Sequence, residues 1–457
     1  MNHSPWLAQL KRSRPELTLE SDAQADCLIL GGGIAGVVTA YYSLRDTNKT
    51  VILVEANKIA HGATGHNAGQ VVSYFERPFQ SIVQEFGLTK AAEAQKSIDD
   101  AWLLLEGIIH DLDLKTPLTR VTGYVGISNF ESVVSFCEDV RLKRKAGIAS
   151  EDMFIADDAA LRDRLPTEYR SCVTIVSKKD IQNLLETKQD HYLAVGASPK
   201  GCLNSALFCE EVIGYLLTTY ADRFRVVEKA PVHEIVAGLK TISAKTARYT
   251  VTTQSIVLCT NGFEHFTLKN EAGTEIDTKF HANVNGVIGY MSGYLTGIGE
   301  RPTAISFLPK TYVPDEDYYY VTRRPYEHAS GTRHSIVCIG GPVDDLPEAK
   351  QYQPQTNVPE EKLKELQEFS KTLQQADQLP PPAFVWHGLM GYTPNRIRLI
   401  GAEPCNPRVL YNLGCNGIGI LPSIYGGKRI AEILSGKELS PSIFDPRDRR
   451  CEVPKRT

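Results

Sequence analysis

Apolar residues in this chain gather in short runs separated by polar and glycine-rich stretches. The first run, Cys27–Leu30, leads into a set of glycines. From Ile34 to about Leu44 the apolar spacing becomes helical, and Val51–Val54 is a second continuous run that ends in Glu55. Short apolar runs bounded by turn residues suit buried parallel strands, and a helical period between them suits a crossover, so the chain opens with a βαβ unit. Helical spacing returns from Leu88 to about Leu112, carrying Ile98, Ala101, Trp102, Leu105 and Ile108, and again from Ser205 to Tyr220. Val226–Val227 and Ile256–Leu258 read as strands. Tyr318–Val321 is the clearest β-rich run, with Ser335–Ile339 as its expected antiparallel neighbour. Pro359–Leu373 predicts an exposed amphipathic helix. Val409–Leu413 predicts a strand, followed by a helix from Ser423 to Leu434 that Gly436 stops. Residues 1 to 25 show little periodicity and read as a polar extension.

The 457 residues allow about three domains at roughly 150 residues each. With 42% hydrophobic and 23% charged residues the composition is that of a globular protein, which excludes a fibre or a disordered chain. A net charge of -4 gives no reason to expect nucleic acid or anionic lipid as the main partner. The basic cluster at 141–145 reads as a solvated helix face. No apolar stretch reaches transmembrane length, so no integral membrane segment is expected. The ten cysteines form no C-x-x-C pair and read as reduced, buried thiols. Near the N-terminus Lys11, Arg12 and Arg14 follow the apolar Trp6, Leu7 and Leu10, the reverse of secretory-signal order. Together these predict a cytoplasmic protein. No His/Cys/Asp cluster has metal-ligand spacing, so no metal is expected.

The 35 glycines are an ordinary fraction, but their placement is informative. Gly31-Gly32-Gly33-Ile34-Ala35-Gly36 fits G-x-G-x-x-G between a strand and a helix. In that motif Gly31 permits the tight turn, Gly33 leaves room for a pyrophosphate, and Gly36 permits close helix–strand packing. The helix N-terminus at Ile34 and Ala35 offers free N–H groups to the phosphates. Glu55, with Ala56 after it, lies nineteen residues beyond Gly36, where a carboxylate can hold ribose hydroxyls. This predicts a dinucleotide site and disfavours NADP. The motif alone does not separate NAD from FAD.

Three further segments carry a more specific signal. They are Gly62-Ala63-Thr64-Gly65-His66-Asn67-Ala68-Gly69-Gln70, Trp386-His387-Gly388-Leu389-Met390-Gly391-Tyr392-Thr393-Pro394-Asn395, and the run from Leu410 to Pro422 through Gly414, Gly417 and Gly419. Their order and spacing resemble the D-amino-acid oxidase/glycine oxidase/sarcosine oxidase superfamily of FAD enzymes. The resemblance is nearest to its gamma-glutamylputrescine oxidase-like branch, which the Ser4-Pro5-Trp6-Leu7 opening also resembles.

That resemblance implies an α/β fold in which a Rossmann-like FAD-binding domain is interleaved with an α+β substrate domain carrying a mixed sheet. The implied division is an N-terminal extension at 1–25, FAD-binding segments at 26–94, 200–268 and 385–440, substrate segments at 95–199 and 269–384, and a tail at 441–457. It further implies that Gly62–Gln70 lies along the cofactor, that Val232 contacts adenine, and that the Thr260-Asn261-Gly262 loop and Gly417-Ile418-Gly419-Ile420 approach the flavin. Some members of the family attach flavin through a cysteine in the segment before the Thr393-Pro394 pair; here that segment, Met390-Gly391-Tyr392, has none, so the FAD is expected to be noncovalent.

The family often has an arginine where this chain has Tyr392, which favours an amine or N-substituted amine over a simple α-amino acid. Arg396, Arg398, Arg323 and Arg324 are candidates to compensate, and Tyr319, Tyr320, Tyr392 and His387 are candidate cavity residues. The implied reaction is oxidation of a C–N bond by hydride transfer to flavin N5, giving an imine that hydrolyses. Oxygen or another acceptor would then take the electrons, and the chain is compatible with an oligomer. An NAD-dependent dehydrogenase and a non-catalytic flavin-binding subunit are the competing readings.

Overall fold

The apolar run at 27–30 is the end of a longer strand, Ala23–Leu30, at the centre of a nine-stranded sheet. It pairs in parallel with Val51–Val54 on one side and Thr250–Leu258 on the other. Phe224–Val227 extends the first edge. The end of Thr250–Leu258 pairs in parallel with Asn406–Leu413, which pairs in turn with Leu399–Glu403, while its beginning meets the antiparallel Ile242–Thr246, which pairs in turn with Val232–Ala237. Helices Ile34–Asp46, Ser205–Thr219 and Ile420–Leu434 pack together on one face. The other face buries Leu28, Leu30, Ile52, Val54, Ile256 and Leu258 in a second core cluster, so the strands are apolar on both sides, as their continuous apolar runs require. The computed structural model describes residues 2–12, 14–261, 266–276, 279–310, 318–328, 330–346 and 352–447.

The second sheet has ten strands and mixed direction. Its central antiparallel ladder joins Phe384–Tyr392, Asn285–Thr296, Arg333–Leu346, Tyr319–Glu327 and Thr303–Phe307. Thr303–Phe307 then pairs in parallel with Leu118–Ile127, which pairs with Ala194–Leu203. The antiparallel pairing expected between the Tyr318 and Ser335 regions is present, and glycines make it fit. A Cβ on Gly340 would lie 2.4 Å from the Tyr320 ring, and one on Gly341 2.4 Å from the Tyr319 ring.

Several expectations change. Strand Phe384–Tyr392 belongs to the second sheet, so the segment expected to rejoin the first domain at 385 still carries a strand of the other layer. Residues 2–22 are more than an extension. Trp6 is fully buried in a short helix, Pro5–Ala8, and Arg12 and Arg14 both pair with the buried Glu228. A single tryptophan plugged into a core leaves no periodicity to read. Of the cysteines, Cys405 is disulfide-bonded, whereas Cys27, Cys137, Cys172, Cys202, Cys209, Cys259, Cys338 and Cys415 stand outside any disulfide. Local spacing gave no sign of that bond. Among the described residues no helix is long and apolar enough to cross a membrane.

Candidate active site

A cavity of about 1020 Å³ runs between the two sheets. One end is the first strand-to-helix turn. Gly31 has φ +103, and a Cβ there would stand 2.5 Å from the Cys259 carbonyl oxygen. A Cβ on Gly36 would come within 1.8 Å of the Gly31 carbonyl, so helix and turn can touch only through glycine. Glu55 fixes the turn with both oxygens: Oε2 accepts from Gly32 N at 2.6 Å and Oε1 from Asn57 N at 2.8 Å. Gly31, Gly33, Ile34, Ala35 and Glu55 all line the cavity.

The loop from Gly62 to Gln70 is held by polar bonds on its far side. Thr64 Oγ1 accepts from Ile34 N at 3.0 Å, and Ser205 Oγ donates to the Thr64 carbonyl at 2.7 Å. Asn67 Nδ2 donates to the same carbonyl, while Asn67 Oδ1 receives Gly69 N. Gly62, Ala63, Thr64, Asn67, Ala68 and Gln70 present themselves to the cavity, together with Thr260 and Asn261. Thr260 Oγ1 is buried and has no hydrogen-bond partner among the described residues, as expected of a group that meets a polar ligand.

The opposite wall is the turn into the last helix. Asn261 Oδ1 accepts from Cys415 N at 2.8 Å, and Asn416 Oδ1 accepts from Thr393 N at 2.8 Å. Asn261, Asn416 and Gly417 all hold positive φ. Gly417, Ile418, Gly419 and Ile420 line the cavity. Helix Ile420–Leu434 begins there without a side-chain cap, so its positive dipole end faces the space. Arg398 also reaches the cavity, but its guanidinium is spent on Asn412, with Nε to Oδ1 at 2.8 Å and Nη2 to the carbonyl at 2.9 Å.

Beyond Gly417 lies a polar cluster that the sequence did not reveal. Tyr318 Oη donates to Glu76 Oε1 at 2.8 Å. A Cβ on Gly417 would meet Tyr392 Oη at 2.8 Å and Glu76 Oε1 at 3.1 Å, so these groups converge on one glycine. Burial holds the Glu76 carboxyl above its ordinary range, against the opposing Tyr318 bond and the charges of Arg396 and Lys200. Burial likewise pushes the Tyr74, Tyr318 and Tyr392 phenols upward. Lys200 is fully buried, donates to Ser306 Oγ at 3.1 Å and lies 5.7 Å from the Tyr74 ring, and burial lowers it to about 8. Tyr320 and Arg396 line the same region, with Arg396 5.5 Å from the Tyr392 ring centre. The only sequence signal for Glu76 is the run Tyr74-Phe75-Glu76 soon after the second glycine segment.

Other candidates stand elsewhere. Strand alternation turns His387 away from the cavity, where Tyr352 Oη meets Nδ1 at 3.0 Å and the Thr356 carbonyl meets Nε2 at 3.1 Å. Its neighbour Gly388 faces the glycine loop instead, with room only for a bare Cα against the His66 carbonyl. Tyr319 stacks on Phe369 at 4.2 Å, on the face opposite Tyr320. Arg324 lies 4.3 Å from the Trp6 ring centre and donates to Gln9, and Arg323 pairs with Glu186. Gly36, Gly65, Gly69 and Val232 stand behind the lining, and Ala56 is exposed to solvent outside it. Gly65 packs on Leu7, Gly69 on Trp6, and Val232 in the core beneath the first sheet. Gly262 lies outside the described residues.

Comparison with known proteins agrees with this arrangement. Residues 26–433 match the family model described as DAO, FAD dependent oxidoreductase. The chain belongs to this family. Its fold is similar to that of glycine oxidase from Geobacillus kaustophilus, with a TM-score of 0.65 at 15% identity, covering 93% of this chain and 98% of that one. Over 164 residues it is 27% identical to the Rieske 2Fe-2S iron-sulfur protein named YhfW of Bacillus subtilis (strain 168), covering 36% of this chain and 30% of that protein. Over 88 residues it is 31% identical to gamma-glutamylputrescine oxidoreductase of Escherichia coli (strain K12), covering 19% of this chain and 20% of that one. The chain spans less than half the length of the curated relatives it matches. The family's description names FAD, not NAD, as the cofactor.

Proposed function

We propose that the protein oxidises a C–N bond of an amine, N-substituted amine or amino acid, and that it stands nearest to the gamma-glutamylputrescine oxidase-like branch of its family. One observation carries this reading. A single cavity joins the Gly31–Gly33–Glu55 turn to the tyrosine-lined space around Glu76 and Tyr392. The printed activity of the Escherichia coli relative, which acts on a substituted amine, supports the same substrate class.

In this reading Glu55 orients the ribose end, and the first helix and the Gly62–Gln70 loop receive the pyrophosphate. The turn from Gly417 to Ile420 meets the flavin, where the uncapped helix end favours negative charge. Segments 26–94, 200–268 and 385–440 each contribute lining residues, in keeping with their proposed FAD-binding role. Bound FAD supplies the hydride acceptor. The chain's own part is to bind the amine, orient its α-carbon and keep bulk water out beneath Tyr320 and Tyr392. Cys415 is engaged with Asn261, and we take the cofactor to be noncovalent. A cytoplasmic location belongs to the same proposal.

The test is anaerobic mixing of the purified holoprotein with a panel of primary amines, secondary amines and amino acids, followed by oxygen. Bleaching of the visible flavin band by an amine supports the reading. A flavin that stays oxidised across the panel refutes it.

A further inference from the structure

The sequence gives no sign of an acid–base group, and the reaction does not formally need one if the amine arrives neutral. The structure nevertheless places one carboxylate among the cavity tyrosines. Glu76 accepts a single hydrogen bond among the described residues, from Tyr318 to Oε1. The same oxygen lies against Gly417, in the turn that begins the last helix. Glu76, Tyr74, Tyr318 and Tyr392 all line the cavity. Oε2 keeps its lone pairs, and the tyrosine rings around it offer π faces of the kind that attract a cation.

We propose that Glu76 is the docking point for the protonated nitrogen of an amine substrate and the acceptor of its proton. This rests on the amine-oxidation reading above. The step balances as R–CH₂–NH₂⁺–R′ with the Glu76 carboxylate giving the neutral amine and the carboxylic acid. One N–H bond breaks and one O–H bond forms, with no change in oxidation state. The nitrogen lone pair thus freed is what a later loss of hydride from the α-carbon requires. The proton leaves to solvent when the product departs.

The surroundings suit this transfer. In an apolar site an ammonium becomes a stronger acid and a carboxylate a stronger base, so their proton affinities converge and the neutral pair is favoured. Every charged or titratable group facing Glu76 has a part. Tyr318 donates to it and lowers its affinity for protons. Lys200 and Arg396 do the same through space, opposing the burial that raises it. Tyr74 and Tyr392, whose own ionisation burial suppresses, remain neutral and supply surface rather than charge.

The experiment uses the FAD-loaded protein with tert-butylammonium, an ammonium that has no α-hydrogen to lose, and tert-butanol as its uncharged counterpart. Perturbation of the flavin spectrum reports binding. The ammonium is expected to bind the wild type and tert-butanol is not. Glu76→Gln is expected to bind the ammonium roughly ten- to a hundred-fold more weakly with its FAD content intact, the range of a lost charge-assisted bond. With an oxidisable amine, the flavin-reduction rate should fall on the acid side in the wild type, follow only the amine's own ionisation in Glu76→Gln, and show the wild-type fall at higher pH in Tyr318→Phe. Equal ammonium affinity in wild type and Glu76→Gln, or an acid limb that Tyr318→Phe leaves in place, overturns the proposal. Failure of every amine to reduce the wild type overturns the amine-oxidation reading instead, and the tert-butylammonium titration still decides the binding site.

Discussion

The indole Nε1 of Trp6 donates to the carbonyl of Asn67 at 2.5 Å, tying the N-terminal segment to the glycine-rich loop. Ser4 Oγ reaches the Gly65 carbonyl of the same loop at 2.5 Å, and Asn204 Nδ2 donates to the Trp6 carbonyl. Trp6 also packs edge-on against Trp386 and carries Arg324 over its ring. Trp6→Ala should destabilise the fold by about 3–5 kcal/mol, the cost of emptying a large buried site. It should also weaken FAD binding, because the loop loses its backing. Thermal melting of apo and FAD-loaded protein checks both, and a variant that melts lower yet binds FAD as tightly as wild type would sever loop from strap.

Gly36 and Gly62 make a matched pair. Gly36→Ala drives a Cβ into the Gly31 carbonyl oxygen, a backbone atom that cannot rotate away. The variant is expected to purify without flavin or not to fold. A Cβ on Gly62 meets nothing within 4 Å and the backbone there has φ -82, so Gly62→Ala should keep its flavin and change stability by less than about 0.5 kcal/mol. The ratio of visible to ultraviolet absorbance of the two purified proteins separates the cases.

Glu55→Gln exchanges one acceptor oxygen for a donor, and both present oxygens accept backbone N–H groups. One of those bonds must be lost. A cost of about 1–2 kcal/mol in FAD affinity is expected, or roughly ten-fold in Kd. Titration of the apoprotein with FAD measures it, and an unchanged Kd would show that the turn holds its shape without the carboxylate.

Lys200 makes stability depend on pH in a defined direction. Burial lowers it to about 8 from the ordinary 10.5. The unfolded chain therefore binds more protons between those values, so stability rises with pH across the window. Below it the buried charge costs on the order of 3 kcal/mol. Lys200→Met should be the more stable protein at pH 7, and its advantage should shrink towards pH 10. Urea unfolding at the two pH values checks the sign, and an advantage that grows with pH would contradict it.

Acid precipitation followed by centrifugation should leave the yellow cofactor in the supernatant. Flavin that stays with the pellet would point to a covalent bond, for which Cys259 and Cys415 are the thiols lining the cavity.

Legibility followed sequence distance. The strand, turn and helix from Ala23 to Glu55 could be read because glycine, apolar run and carboxylate lie within one βαβ unit and each has a local reason. The Glu76 cluster could not. Glu76, Lys200, Ser306, Tyr318 and Tyr392 come from separate parts of the chain, and no spacing rule links them. The three misplaced candidates, His387, Tyr319 and Arg324, sit on or beside strands that do line the cavity. His387 and Tyr319 point to the opposite face, whereas Arg324 shares the face of Tyr320 and lies further along it, over Trp6. A one-residue choice between neighbours, Tyr319 or Tyr320, depends on register, which the pairing across Gly340 and Gly341 sets.

The chain passes between the two sheets more than once, from Val54 to Gln70, from Leu203 to Phe224, from Asn270 to Asn285 and from Tyr392 to Leu399. Neither layer is a continuous stretch of polypeptide. No single truncation can therefore release a nucleotide-binding fragment that folds by itself, and a nascent chain cannot complete the first sheet until Asn406–Leu413 has been made. Assembly waits for contacts between distant parts of the sequence, a topology that folds slowly. A flavin added during refolding has a finished cradle to enter only at the end.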